Sequence, residues 1–240
     1  MMKRILIFGA MLCAFACSHD KIAATDADDS ASAAPIAARI VARGNEPGWL
    51  VSLGPVETEF TLDYGERRLS APTPAPEITE AGAVYRYADA GLALTVKDEV
   101  CADDATGMPH PKSARLEEGE RVMKGCAGEP ASLLVGDEWV VEDIGGAGVI
   151  DMARTSILFD EGGKVSGGGA CNRFGGTYQL TGEGLSFGPI AATKRACPPA
   201  VMDQEDRFFD ALASVDRFAI DETGALILYG ADKPLLLARR

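Results

Sequence analysis

A chain of 240 residues, 47% of them hydrophobic, has material for one large or two small packed domains and is not globally disordered. Its 36 acidic residues outnumber 23 basic ones, and the formal charge of −13 argues against a general nucleic-acid binder while suiting a basic partner.

The first residues, "MMKRILIFGAMLCAFAC", carry Lys3 and Arg4, a short apolar run from Ile5 to Leu12, and small residues ending at Cys17. This is the pattern of an export signal over residues 1–16, and its apolar run falls well short of the roughly 20 residues that span a bilayer. "AFAC" resembles the lipobox of bacterial lipoproteins, in which Ala16 would precede the acylated cysteine, Cys17, that becomes the new N-terminus. Ser18 stands where inner-membrane retention uses aspartate, so the resemblance implies an outer-membrane lipoprotein facing the periplasm. Residues 17–38 then read as the lipidated cysteine and a disordered tether: "SHDKIAATDADDSASAAPIAA" is small, acidic and without aromatics. A flexible chain of that length spans on the order of 25 Å.

From residue 39 the chain alternates apolar and polar residues in short bursts between turn signals, which predicts strands. In a first module, residues 39–131, Trp49, Val51 and Leu53 share a strand face. So do Phe60, Leu62 and Tyr64, then Tyr85 and Tyr87, then Leu92, Leu94 and Val96. "SAPTPAPEI", residues 70–78, reads as a proline-rich loop or edge excursion.

The second module, residues 134–240, repeats the style with Trp139 and Val141, Ile157 and Phe159, Tyr178 and Leu180, Leu185 and Phe187, Leu226 and Leu228, and Leu235 and Leu237. "DEGG", "TGEG" and "DETG" at 160, 181 and 221 supply hairpin turns. One stretch breaks the alternation. Residues 198–215 open with Pro198 and Pro199, place Val201, Phe208, Leu212 and Val215 on one helical face, and put Asp203, Glu205 and Asp206 in the early turns, so an amphipathic helix laid on the sheet is expected.

Of six cysteines, Cys13 goes with the signal and Cys17 is the lipid site. The remaining four allow three connectivities, but one pair lies inside each module, and an exported chain favours Cys101 with Cys126 and Cys171 with Cys197. The competing reading is a metal cluster of Cys101, Asp103, His110 and Cys126 in and beyond "CADDATGMPHP", which an oxidising compartment and the lack of close cysteine pairs disfavour. No metal and no cofactor is expected.

"GGGACNRFGGTYQLTG" at 167–182 could be a phosphate loop, yet "RFGGTYQL" within it alternates toward a strand and opens no helix, and the dinucleotide, Walker and nucleophile-elbow patterns are absent. A strand, tight turn and strand explain it better, with Cys171 anchored near the helix start and Asn172 bonded to backbone. Asn172 and Arg173 remain candidate anion-binding residues. In "RGNEPGW" Asn45 and Glu46 could line a pocket beside Trp49, a setting that raises a carboxyl pKa, but a turn shaped by proline and glycine with a core tryptophan explains the stretch better.

Residues 162–212 together carry a resemblance through glycine before "CNRF", then "GTY", "LSFGP", a threonine followed by "ACP", and "FFDAL". They resemble the META domain of HslJ-like bacterial lipoproteins, with Trp139 and the final "LLLARR" fitting its ends. Arg195 stands where that family more often has methionine. "RGNEPGW", "CADDATGMPHP" and "GCAG" resemble an uncharacterised envelope domain found beside META and lysozyme-inhibitor modules. The resemblance implies a mainly β (α+β) protein of two small antiparallel modules, the second a curved sheet with one packed helix. It brings no catalytic residues. The expectation is therefore a non-enzymatic, membrane-anchored envelope lipoprotein that binds or stabilises another envelope component, with a role in stress tolerance. The alternative is an inhibitor of a basic secreted hydrolase such as lysozyme.

Overall fold

The computed structural model describes Arg39–Arg240. The expected signal, Cys17 and the tether lie outside the described residues. The first module holds strands β1 (Ile40–Asn45), β2 (Gly48–Leu53), β3 (Glu57–Leu62), β4 (Arg67–Pro72), β5 (Glu77–Thr79), β6 (Gly82–Tyr87), β7 (Leu92–Lys97), β8 (Cys101–Ala102), β9 (Pro109–His110), β10 (Lys112–Glu118) and β11 (Arg121–Ala127). Nine of them form one antiparallel sheet in the order β4-β3-β2-β1-β11-β10-β7-β6-β5, while β8 and β9 pair as a separate ribbon.

The first and last strands of this module are thus neighbours in the middle of the sheet, and its edges are the consecutive strands β4 and β5. Pro72, Pro74 and Pro76 bring no N–H to a ladder, which suits the chain between those two edges. Inside the curve lie Phe60, Leu62, Leu94, Leu116 and Met123, all essentially buried. A hydroxyl chain ties the core to the proline segment: Tyr87 donates to Thr58 at 2.8 Å, Thr58 meets Thr73 at 2.8 Å, and Thr73 donates to the Gly54 carbonyl at 2.8 Å. Phe60 and Tyr87 pack edge to face at 4.8 Å.

The second module begins after a short 3-10 helix, Pro130–Leu133. Its strands are β12 (Trp139–Ile144), β13 (Thr155–Phe159), β14 (Lys164–Gly169), β15 (Arg173–Thr181), β16 (Gly184–Phe187) and β17 (Ala191–Ala192) before the helix α1 (Pro199–Ala213), then β18 (Arg217–Ile220), β19 (Leu226–Gly230) and β20 (Lys233–Arg239). The order is β16-β15-β14-β13-β12-β20-β19-β18, with β17 on β15. Again the first and last strands pair. The edges β16 and β18 touch through the Leu185 N–H on the Asp216 carbonyl at 2.9 Å, and Gly184 is where they come too close for any side chain: a Cβ there would sit 2.1 Å from that oxygen. The result is a near-barrel with α1 packed against β12, β14, β16 and β20. Trp139, Ile157, Phe159, Leu185, Phe208 and Leu212 fill it. Among the described residues no helix is long and apolar enough to cross a membrane.

Four local expectations change. Tyr64 does not continue the strand of Phe60 and Leu62; it sits at φ 57° in the 3-10 turn Asp63–Gly65, exposed, with its ring over Gly48. The proline segment is shorter than residues 70–78, because β4 runs through Pro72 and β5 begins at Glu77. In β20 the fully buried residues are Leu236 and Ala238, while Leu235 and Leu237 are only partly buried, Leu235 packing against the core from the bulge. A bulge against Tyr229 adds one residue there and inverts the alternation. The helix ends at Ala213, leaving Val215 buried just beyond it.

The two cores are distinct, but Met108 of the first module packs into the second module's core beside Leu134, so the 103–110 loop is also a joint.

Candidate functional site

In "RGNEPGW" Asn45 pairs with Gly48 across a tight turn whose Glu46–Pro47 peptide is cis. Trp49 points inward at 4% exposure and donates its indole N–H to the Lys124 carbonyl at 3.3 Å. Its ring occupies the space above Gly44 and Gly125, where added Cβ atoms would lie 2.3 and 2.8 Å from it. Trp49 is therefore core and Glu46 is exposed at the turn, as the turn reading requires, and no buried glutamate-indole pocket forms. Asn45 turns elsewhere: its amide donates to Asp103 at 3.1 Å and to Asp104 at 2.5 Å.

Asp103 anchors its own loop. One carboxylate oxygen accepts the N–H groups of Ala105 and Thr106 at 3.1 and 2.9 Å and the Thr106 hydroxyl at 3.0 Å. Burial opposes ionisation, but those bonds together with Asn45 outweigh it and hold the Asp103 carboxyl below the usual aspartate range. His110 is 4% exposed with Nδ1 2.7 Å from the Gly128 carbonyl. Cys101 and Cys126 are bridged, so neither thiolate is available to a metal. Among the described residues no group of three histidine, cysteine or carboxylate side chains could hold one.

The glycine run is β14, a tight turn and β15. The Gly169 N–H bonds the Asn172 carbonyl at 2.7 Å across Ala170, which lies at φ 106°. Inward-facing Gly167 and Gly169 make room: a Cβ on the first would meet the Ser156 carbonyl at 2.0 Å, and on the second Phe209 and Glu205 at 2.7 and 2.9 Å. Asn172 is 4% exposed and fully engaged. Its side-chain oxygen accepts from Thr193 at 2.8 Å and from the Arg195 N–H at 2.7 Å, while its amide donates to Glu205 at 2.7 Å and to the Arg195 carbonyl at 3.3 Å. The Cys171–Cys197 bridge, with Cα atoms 6.0 Å apart, fastens the same turn near the helix start.

Residues 132–240 match the META domain. In this META module, Asn172 of "CNRF" is thus a structural hub and not a free ligand group. Two solved structures are similar to about half of the chain. An NMR structure of a protein from Burkholderia xenovorans is 25% identical with a TM-score of 0.39, covering 47% of this chain and 88% of its own. A second NMR structure is 25% identical with a TM-score of 0.38, covering 46% and 94%. No curated protein matches the chain.

Arg173, next to the hub, is exposed on the rim of a groove of about 410 Å³ shared with Glu138, Arg154 and Ser156. Glu138 accepts the Ser156 hydroxyl at 2.6 Å and pairs with Arg154 at 2.8 Å, and the Ser156 bond leads in holding its carboxyl below the usual range. A second hollow of about 340 Å³ lies between the modules, where Asn45, Asp103, Met108 and His110 face Leu180 and Thr181 of the META module.

Two further polar residues, in α1, were not among the sequence candidates. Gln204 is fully buried, accepting the Ile150 N–H at 2.6 Å and donating to the Ala153 carbonyl and Thr155 hydroxyl, each at 3.0 Å. Glu205, expected to serve the helix dipole in an early turn, is 3% exposed and holds the Cys171–Asn172 turn instead. The signal was present in the spacing, since Gln204 lies four residues before Phe208 on the apolar face.

Proposed function

We propose that this protein is a non-enzymatic, membrane-anchored factor of the bacterial envelope, attached through lipid on Cys17, that binds or steadies another envelope component and contributes to stress tolerance. The single observation that carries the reading is the pair of disulfides, one closing each module, which suits an oxidising compartment. The export signal and lipobox resemblance at residues 1–17 agree with it. The engagement of the candidate polar groups adds support: Asn172 and Asp103 direct their hydrogen bonds to nearby backbone and side chains.

The first test is the intact mass of the protein extracted from membranes without reductant, with peptide mapping of its cysteines. A diacyl or triacyl mass at Cys17, with both bridges intact, is expected; an unlipidated protein with free thiols overturns the reading. Cross-linking in intact cells should then return a specific partner.

A second reading, inhibition of a basic secreted hydrolase such as lysozyme, is favoured by one feature. Glu46 and exposed Asp104 flank the Asn45 turn of a chain whose formal charge is −13, a field that would steer a cationic enzyme. Lysozyme activity that excess protein leaves unchanged at low salt would remove it.

A further inference from the structure

The hollow between the two modules is lined by His110, whose ring has one nitrogen with no hydrogen-bond partner among the described residues. His110 is 96% buried by its 4% exposure, and its one hydrogen bond among the described residues joins Nδ1 to the Gly128 carbonyl at 2.7 Å. A carbonyl only accepts, so Nδ1 carries the proton and Nε2 of the neutral ring is left as an acceptor. No buried side-chain nitrogen or oxygen in the described residues lacks a partner, so Nε2 keeps open surface, and the space that His110 lines is this hollow of about 340 Å³.

Both walls around that acceptor are fixed. The 103–110 loop is clamped by the Cys101–Cys126 bridge at one end and by Met108 in the META core at the other. Opposite stand Leu180 and, beside it, Pro130 and Ala131, so apolar surface lies next to an open acceptor. The charged groups lining the hollow are Asp103 and Glu129 against Arg43. Asp103 is saturated by its loop and by Asn45, whereas the Glu129 carboxylate stands exposed at the rim, where it can serve a ligand. An apolar wall, a ring-nitrogen acceptor and an excess of carboxylate match a donor head on an aliphatic stem.

We propose that this inter-module hollow binds an alkylammonium group, the chemistry of a lysine side chain or a free primary amine, with its stem along Met108 and Leu180 and its head on His110 Nε2 and Glu129. The site does not depend on the envelope reading and can fail or stand separately from it.

The test uses the full chain with 15N-labelled histidine, which gives the Nδ1 and Nε2 signals of only two imidazoles, His110 and His19. It is titrated with n-butylamine, n-butanol and butyrate, which share a four-carbon stem. Butylammonium should shift the His110 Nε2 resonance saturably while His19 stays put, and the alcohol and acid should bind at least several-fold more weakly. Glu129→Gln should weaken the amine about three- to fivefold, and Arg43→Gln should strengthen it by a similar factor. Melting curves that match the parent check that folding is intact in both variants. A capped lysine, Nα-acetyl-lysine methylamide, that binds at least as well as butylamine assigns the site to a protein side chain. If it is excluded while butylamine binds, the ligand is a free amine. Saturable butyrate binding that Arg43→Gln abolishes, equal shifts from all three compounds, or no shift at His110 each overturns the proposal.

Discussion

Glu205 accepts the backbone N–H groups of both Cys171, at 3.0 Å, and Asn172, at 2.6 Å, through one carboxylate oxygen, while its other oxygen takes the Asn172 amide at 2.7 Å. A helix carboxylate thus closes a hairpin made by two strands, from 33 residues away. Glutamine at 205 keeps the shape but has one acceptor oxygen, so at least one of these donors loses its partner. Glu205→Gln should cost about 1–3 kcal/mol in urea unfolding, and Glu205→Ala more, because Asn172 then loses several bonds at once. A Glu205→Gln midpoint equal to the parent's would show the network to be dispensable.

Ala170 holds φ 106° in that same turn, a region that L side chains rarely adopt. Glycine removes the penalty, and its extra freedom in the unfolded chain offsets only part of the gain. Ala170→Gly should raise stability by about 0.5–1 kcal/mol. Gly167→Ala, three residues earlier, should do the reverse, since its Cβ would press on the Ser156 carbonyl. Opposite shifts in denaturation midpoint check the pair.

Met108 is the apolar side chain by which the first module enters the core of the second. Met108→Ala should cost about 2–3 kcal/mol. It should also loosen the coupling between modules, so that calorimetry of the variant resolves two transitions or a broader one. A single, unchanged transition would mean that Met108 contributes area but no coupling.

Asp103 carries a pH dependence whose sign is fixed by its depressed pKa. The unfolded carboxyl titrates near about 3.9, so its stabilisation is fully present above that value and is lost as pH falls through the lower folded pKa. The stability gap between the parent and Asp103→Asn should therefore be constant near neutrality and shrink in acid. Urea melts over that range measure it, and a gap that widens in acid contradicts the assignment.

Phe208 is fully buried at the centre of the α1 contact with the META sheet and touches Phe174 and Phe209. Phe208→Asp should unfold that module, seen as loss of its near-ultraviolet signal and of protease resistance.

Alternation and turn chemistry made most of the architecture readable. Val51 and Leu53, Leu92 and Leu94, and Ile157 and Phe159 point inward as their period of two requires, and "DEGG" and "DETG" mark real hairpins. Confinement of each cysteine pair to one module pointed to both bridges. The errors arose where tertiary contact overrode local pattern. A single bulge inverted Leu235 and Leu237, and Gly48 made a seat for the Tyr64 ring outside the strand. The polar sites were less legible. Asn172 looks the same in sequence whether it binds a ligand or a helix, and only the fold brings Glu205 to it. The hollow at His110 needs residues from β1, the 103–110 loop, the linker helix and the β15–β16 turn, which no local motif announces.

The pairing of first and last strands in both modules governs when each can form. β1 pairs early with β2 and β12 with β13, but the other edge of each waits for β11 or β20, so a sheet growing from its N-terminal end keeps an open edge at what will become its middle until the whole module is present. Neither module can close before its last strand is made, and a chain still lacking that strand is an open sheet with a sticky seam. Under the export proposed above, that delay would be an advantage: each module would be completed on the far side of the membrane, where its two thiols can also be oxidised.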